Sequence, residues 1–298
     1  MKLASFRANE TNNVTRVGMV IDDSIVNLSQ ALGVKDMIEV IDDFDTLRDG
    51  LTRLGKTQLT LDQVQLAPPI ERPGKIICLA GNYREHITES GFVAPETDAV
   101  ITPQLFLKPS SSLIGDNSEI LIGKNNVKVG WETELAVVIG KRGRHIPIES
   151  AFDHVFGYTI VNDVSERGLN AQLENRRHRE MDRFLDWLAG KWFDTFAPCG
   201  PWIVTKDEVT DPHELGIKLT INNELRQQGN TRDMIFGIPE QIAYASSIMT
   251  LEPGDIISTG TPAGAGIGGS GASLNDGDEL VCEIDQVGKL QNTVRYVA

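Results

Sequence analysis

The chain has 298 residues, is 40% hydrophobic and 23% charged, and carries a formal net charge of −14. That charge argues against nucleic acid and against anionic membrane surfaces as partners, and no apolar run approaches the length of a bilayer span. An acidic small molecule is not excluded, because a cation or a few convergent basic side chains reverse the potential locally. The length suits one large domain or a large and a small one. The first residues contain no apolar stretch of the secretory type. Three widely separated cysteines, Cys78, Cys199 and Cys282, fit neither a disulfide framework nor a zinc motif. A cytoplasmic protein with reduced thiols is therefore expected.

Residues 1–68 read as a small N-terminal α+β unit. A hairpin is predicted from strands at 14–21 and 24–28, turning at Asp22-Asp23. A helix is predicted over 38–54, and Ala67-Pro68-Pro69 breaks the chain before a second domain at 69–298. Strand 75–80 runs into Gly81-Asn82-Tyr83, and a helix over the following residues would put His86 and Glu89 on one face. A carboxylate beside an imidazole orients it as a general base requires; an ordinary surface pair is the other reading. Lys108, at the end of strand 104–108, is either solvated or meets an acidic substrate.

The run Gly130-Trp131-Glu132-Thr133-Glu134-Leu135-Ala136-Val137-Val138-Ile139-Gly140 is a predicted strand bounded by glycines. Its alternation puts Glu132 and Glu134 on one face, about 7 Å apart along the strand. Two readings stand: oxygen ligands converging on a hard cation, or two glutamates pointing into water from a sheet edge. The next strand, 155–163, ends at Asp163, which is either a third oxygen ligand or a helix N-cap. The charged segment 170–188 is predicted to be a helix with a solvated face. Lys191 follows in a glycine- and proline-rich loop, either as a surface lysine or as a cation for developing negative charge. Strands are predicted at 217–225, 255–258 and 279–284, with a helix at 239–249. Gly264-Ala265-Gly266-Ile267-Gly268-Gly269 matches GxGxxG, but 270–278 is too short to hold the helix that a dinucleotide site needs.

Taken together, Gly81-Asn82-Tyr83 with His86 and Glu89, Phe106-Leu107-Lys108-Pro109, Glu132-Thr133-Glu134, Asn162-Asp163-Val164-Ser165-Glu166-Arg167, Gly190-Lys191, Arg226-Gln227-Gln228-Gly229-Asn230-Thr231 and Ser258-Thr259-Gly260-Thr261-Pro262 resemble the fumarylacetoacetate hydrolase superfamily, in its order and over roughly residues 70–290. The likeness is greatest to short-chain members, which include acylpyruvate hydrolases and oxaloacetate decarboxylases. The resemblance implies an α+β protein with a mixed β-roll/β-sandwich catalytic fold, usually a homodimer. It implies Mg²⁺ or Mn²⁺ held by Glu132, Glu134 and Asp163. It also implies a catalytic His86/Glu89 pair on a lid, a catalytic Lys191, and Arg167 and Thr261 facing the substrate. The segments 168–190 and 264–277 look longer than in many short members.

The activity so implied is metal-dependent hydrolysis of a C–C bond in a 2,4-dioxo acid such as an acylpyruvate. Water adds to one carbonyl with His86 as base, the departing carbon leaves as an enolate, and Lys191 faces the charge on oxygen. Oxaloacetate decarboxylation uses the same enolate without water, and isomerisation or hydration of a related 2-oxo acid belongs to the same superfamily. A non-catalytic binding protein would have lost a metal ligand or the His/Glu pair, and neither is missing.

Overall fold

The computed structural model describes residues 1–8, 14–96, 99–266 and 272–298. The expected α+β class is observed: two large sheets with few, short helices. The run around Glu134 organises both. Its strand, Thr133–Ile139, is buried at every residue, as a β-branched apolar run covered on both faces must be. It pairs antiparallel with Val155–Asn162 on one side and Ile256–Ser258 on the other. Beyond Val155–Asn162 lie Ala197–Thr205, Lys2–Ala8, Arg16–Ile21 and Ser24–Asn27; beyond Ile256–Ser258 lie Ile76–Ala80 and Gln104–Lys108. These belong to an 11-stranded sheet.

A five-stranded sheet covers one face, in the order Glu224–Asn230, Gly216–Ile221, Glu279–Ile284, Gly288–Val297 and Ser118–Gly123. The main core lies between the sheets, where Leu135, Val137 and Ile139 meet Ile217, Leu219, Leu280 and Leu290. The intervening residues of the same strands point the other way. Val138, Phe156 and Ile203 pack against Leu3, Met37, Val40 and Ile41 of the N-terminal segment.

The hairpin at Asp22-Asp23 forms as expected. Several elements differ from the sequence reading. The central strand Ala197–Thr205 begins inside the stretch read as a glycine- and proline-rich loop, and the strands Ser118–Gly123 and Gly288–Val297 were not expected. The N-terminal strand Lys2–Ala8 was not expected, and it pairs with Ala197–Thr205. The helix over 38–54 is two helices, Met37–Asp42 and Phe44–Thr52, broken at Asp43. The strand over 217–225 is a hairpin that turns at Asn222 and Asn223, both with positive φ (52° and 65°), the conformation a two-residue hairpin turn requires. Only Asp182–Ala189 of the segment 170–188 is helical. Half of its charges are paired: Arg176 binds Asp186 and lies 3.6 Å from Asp182, and Arg179 binds Asp182. Of the Gly264–Gly269 pattern and the glycine-rich stretch to Gly277, residues 267–271 lie outside the described residues.

Candidate active site

The sheet register brings three carboxylates together. Thr133 pairs with Asn162 at the end of the ladder. Just beyond it, the Asp163 N–H donates to the Glu132 carbonyl (2.8 Å) and the Glu132 N–H donates to Asn162 Oδ1 (2.9 Å). Glu132 itself therefore stands one residue before the regular strand. It still shares a face with Glu134, and oxygens of Glu132, Glu134 and Asp163 lie within 4.8 Å of one another. All three side chains are buried, which excludes the reading of glutamates pointing into water.

Three buried carboxylates repel one another unless cations answer them. Lys191 Nζ donates to Glu132 Oε2 (2.8 Å) and Asp163 Oδ2 (2.6 Å). Lys108 Nζ donates to the other Asp163 oxygen (2.5 Å) and to the Val164 carbonyl (3.0 Å). Arg167 donates to Glu132 Oε1. The lysines are 2% and 3% exposed, so neither is the solvated lysine that its local sequence allowed. Burial pushes the Glu132 carboxyl up, but Lys191 and Arg167 outweigh it and hold the group well below the usual carboxylate range. Burial alone would also lower the Lys191 ammonium; Asp163 and Glu132 reverse this and raise it. Lys191 thus stays charged, beneath the rings of Phe106 (5.2 Å) and Trp187 (5.7 Å).

Glu134 is the exception. It accepts from Ser258 Oγ (2.5 Å) and the Gly260 N–H (3.0 Å), and among the described residues it makes no ion pair. Burial, with Asp163 and Glu132 beside it, pushes its carboxyl well up. A buried carboxylate raised by two like neighbours is where a cation gains most on binding. Three carboxylates and no sulfur or nitrogen donor suit a hard divalent ion. These residues therefore fit a divalent metal.

His86 lies in the helix Arg84–Glu89, its Nε2 4.0 Å from Glu132 Oε1. Burial lowers the imidazole's pKa despite Glu132, and Nδ1 is buried without a partner among the described residues. Glu89 does not reach it: Glu89 Oε2 accepts instead from the Gly264 N–H (2.5 Å), and the expected His86–Glu89 pair is not formed. Arg167 keeps a buried Nε without a partner among the described residues. The Thr261 hydroxyl donates to the Thr133 carbonyl (2.9 Å) and accepts from Gln227 Nε2 (2.9 Å), so its single proton is already committed.

Several supporting groups were not singled out from the sequence. Gln227 reaches from the five-stranded sheet and accepts from the Thr133 N–H (2.9 Å). The Glu166 carboxylate accepts from the N–H groups of Val127, Lys128 and Gly168 (2.8, 3.0 and 2.5 Å), shaping the loop that bears Arg167. Asn82 donates to the Thr259 carbonyl (2.8 Å). Most lie inside the motif stretches, but their partners are distant in sequence and only the fold reveals them.

Fold and site together define a metal-site protein built on a β-roll, and the chain belongs to the fumarylacetoacetate hydrolase family. Residues 75–295 match the family model described as fumarylacetoacetate (FAA) hydrolase C-terminal. The mitochondrial oxaloacetate tautomerase of Xenopus laevis is 37% identical over 304 residues, covering 99% of this chain and 90% of that protein. The crystal structure of maleylpyruvate hydrolase from Sphingobium sp. SYK-6 superposes with a TM-score of 0.80 at 36% identity over 100% of both chains. Its complex with manganese(II) and pyruvate gives 0.79 at 35%, also over 100% of both. The 5-carboxymethyl-2-hydroxymuconate delta-isomerase of Mycobacterium smegmatis gives 0.74 at 28%, again over 100% of both.

Proposed function

We propose that the protein is a divalent-metal-dependent hydrolase that cleaves a C–C bond in a 2,4-dioxo acid. The carrying observation is the buried Glu132–Glu134–Asp163 cluster, with the Lys191 ammonium against it and the His86 imidazole 4.0 Å from Glu132. Bound Mg²⁺ or Mn²⁺ would supply Lewis-acid stabilisation of negative charge on the carboxylate and 2-oxo oxygens of the substrate. The protein supplies the rest. His86, kept neutral by burial, accepts a proton from the attacking water. Lys191 sets a fixed positive charge beside the oxygens that become negative. Arg167 offers its Nε–H, which has no partner among the described residues, to a substrate oxygen. Thr261, its proton engaged by Thr133, shapes the pocket wall and leaves its backbone to face the substrate.

The charge count narrows the substrate. Glu132, Glu134 and Asp163 are balanced by Lys108, Arg167 and Lys191. A divalent cation leaves an excess of two positive charges, which suits a substrate with two negative charges. A dicarboxylic 2-oxo acid fits better than one with an uncharged tail. The similarity to the maleylpyruvate hydrolase over both whole chains supports this reading.

A second reading is enol–keto interconversion or decarboxylation of oxaloacetate, which needs no attacking water. The oxaloacetate tautomerase relative, matched over 99% of this chain, favours it. The test is product analysis on maleylpyruvate, acetylpyruvate and oxaloacetate, each with and without Mg²⁺ or Mn²⁺. Metal-dependent release of pyruvate, faster from maleylpyruvate than from acetylpyruvate, is the expected result. Interconversion or decarboxylation of oxaloacetate with no hydrolysis would establish the second reading. No turnover of any of the three would overturn both.

A further inference from the structure

The stretch that leads into Glu132 begins at the rim of the site. Val127 is exposed and Lys128 half-buried, whereas Val129, Gly130, Trp131, Glu132 and Glu134 are buried. The chain thus runs from solvent down to the carboxylate cluster. At its start Val129–Gly130 pairs antiparallel with Ser165–Glu166, Gly130 opposite Ser165 and Val129 opposite Glu166. The next opposed pair in that register is Lys128 and Arg167, and the Arg167 N–H donates to the Lys128 carbonyl (2.7 Å). Opposed residues of an antiparallel pair share a face, with Cβ atoms about 4.5–5.5 Å apart. Val129 belongs to the core between the sheets, so Lys128 and Gly130 point the other way.

That face is the one Arg167 uses. A Cβ on Gly130 would stand 3.0 Å from Arg167 Nε, so the Arg167 side chain lies back across Gly130 to reach Glu132. Lys128 leaves the backbone beside the origin of Arg167, on the side nearer solvent. Two cations directly opposed on neighbouring strands repel each other. Glu132 answers Arg167. Among the described residues nothing answers the Lys128 ammonium, which makes no ion pair or hydrogen bond. In a chain of net charge −14, a lysine set against an arginine with no acidic partner of its own suits an anion that comes from outside.

We propose that Lys128 is the specificity-determining residue that receives the second carboxylate of the substrate. The inference rests on the reading of the site as one for a dicarboxylic 2-oxo acid and names the group that meets the far end. With the 2-oxo acid head at the carboxylate cluster, a short tail runs past Gly130 and Arg167, and its terminal carboxylate meets the Lys128 ammonium. Lys128 stands outside the balance of Glu132, Glu134 and Asp163 with Lys108, Arg167 and Lys191, so it selects the tail without holding the ligands. An acid with an uncharged tail makes no use of it.

Paired ligands read this contact without turnover. The acids 2-oxoglutarate and 2-oxopentanoate share a head and a chain length and differ only in the terminal carboxylate. Calorimetry on the Mn²⁺-loaded protein should show 2-oxoglutarate bound about 10–100-fold more tightly, the worth of a hydrogen bond to a charged group. In Lys128→Met, which keeps the aliphatic stem, most of that preference should be lost while the affinity for 2-oxopentanoate changes little. Lys128→Arg should retain the preference. Turnover should follow: in Lys128→Met the KM for maleylpyruvate rises with a much smaller change in kcat, and the KM for acetylpyruvate moves far less. No preference in the unmodified protein, no binding of either ligand, or the same preference in Lys128→Met would overturn the proposal. So would an equal loss of affinity for both ligands, because the lysine would then act only through the general field. If the unmodified protein turns over no 2-oxo acid but Lys128→Met erases the preference, the hydrolase reading fails and the carboxylate contact stands.

Discussion

At the scale of single residues, the site is decided by which buried charges have partners. Lys191 touches two of the three proposed ligands, so its charge has two opposed effects. It stabilises negative charge on oxygen during turnover, and it competes electrostatically with a bound cation. Lys191→Met is therefore expected to lower kcat by about 10²–10³-fold, the usual cost of losing a preorganised charge-stabilising group. The same variant should bind Mn²⁺ at least as tightly as the unmodified protein, because it leaves the carboxylates less compensated. Steady-state kinetics and calorimetry on one preparation check both; weaker metal binding would mean that Lys191 organises the ligands instead of opposing the ion. The carboxylate cluster was legible in part: strand alternation puts Glu132 and Glu134 on one face, but that left a cation site and a solvated edge both open, and only the resemblance joined Asp163 to them. Lys108 was not legible, because its partner Asp163 lies 55 residues away.

At the scale of elements, short connections set the side chains to within hydrogen-bonding distance. The helix Asp182–Ala189 ends at Gly190, whose carbonyl accepts from the Glu166 N–H (2.9 Å) immediately before Lys191. A Cβ on Gly190 would lie 2.1 Å from the Glu166 carbonyl. Gly190→Ala must therefore separate the two backbones, which is expected to cost about 1–3 kcal/mol of stability and to lower activity by displacing Lys191. Thermal unfolding with a parallel rate measurement tests this, and an unchanged melting temperature would contradict it. Nothing in the local sequence marks this contact. The hairpin at Asn222-Asn223 is different. Adjacent asparagines tolerate positive φ, so the turn was present in the sequence where a single strand was read. The segment 170–188 shows the reverse error in part: its charges are largely solvated as expected, but Arg176 turns back to Asp186 and the stretch before Asp182 is turns and irregular chain instead of helix.

At the scale of the whole molecule, packing on both faces of the large sheet insulates the thiols: Cys282 lies in the core between the sheets, and Cys78 and Cys199 lie in separate buried clusters. Cys78, Cys199 and Cys282 are all free and buried. Burial pushes the Cys199 and Cys282 thiols up to about 12 and the Cys78 thiol well above its ordinary value. With so little thiolate, no cysteine should react quickly with a disulfide reagent at pH 8 in the native protein, and all three should react after unfolding in guanidinium. A thiol that reacts quickly in the native protein would show that the core opens. No helix is long and apolar enough to cross a membrane among the described residues. The sheet that unites the chain was only partly legible. Local patterns show strands, but the pairing of Lys2–Ala8 with Ala197–Thr205 joins segments nearly 200 residues apart, and no local pattern encodes that. What the motif stretches did convey was the carboxylate cluster, and the central claim is that it holds one divalent ion. The most direct measurement is a calorimetric Mn²⁺ titration of the metal-stripped protein beside Glu134→Ala. The account predicts one ion per chain, bound at least about tenfold more weakly by the variant, since even residues that merely support a ligand cost about 10–100-fold. Equal affinity in the two proteins, or no binding in either, would contradict it.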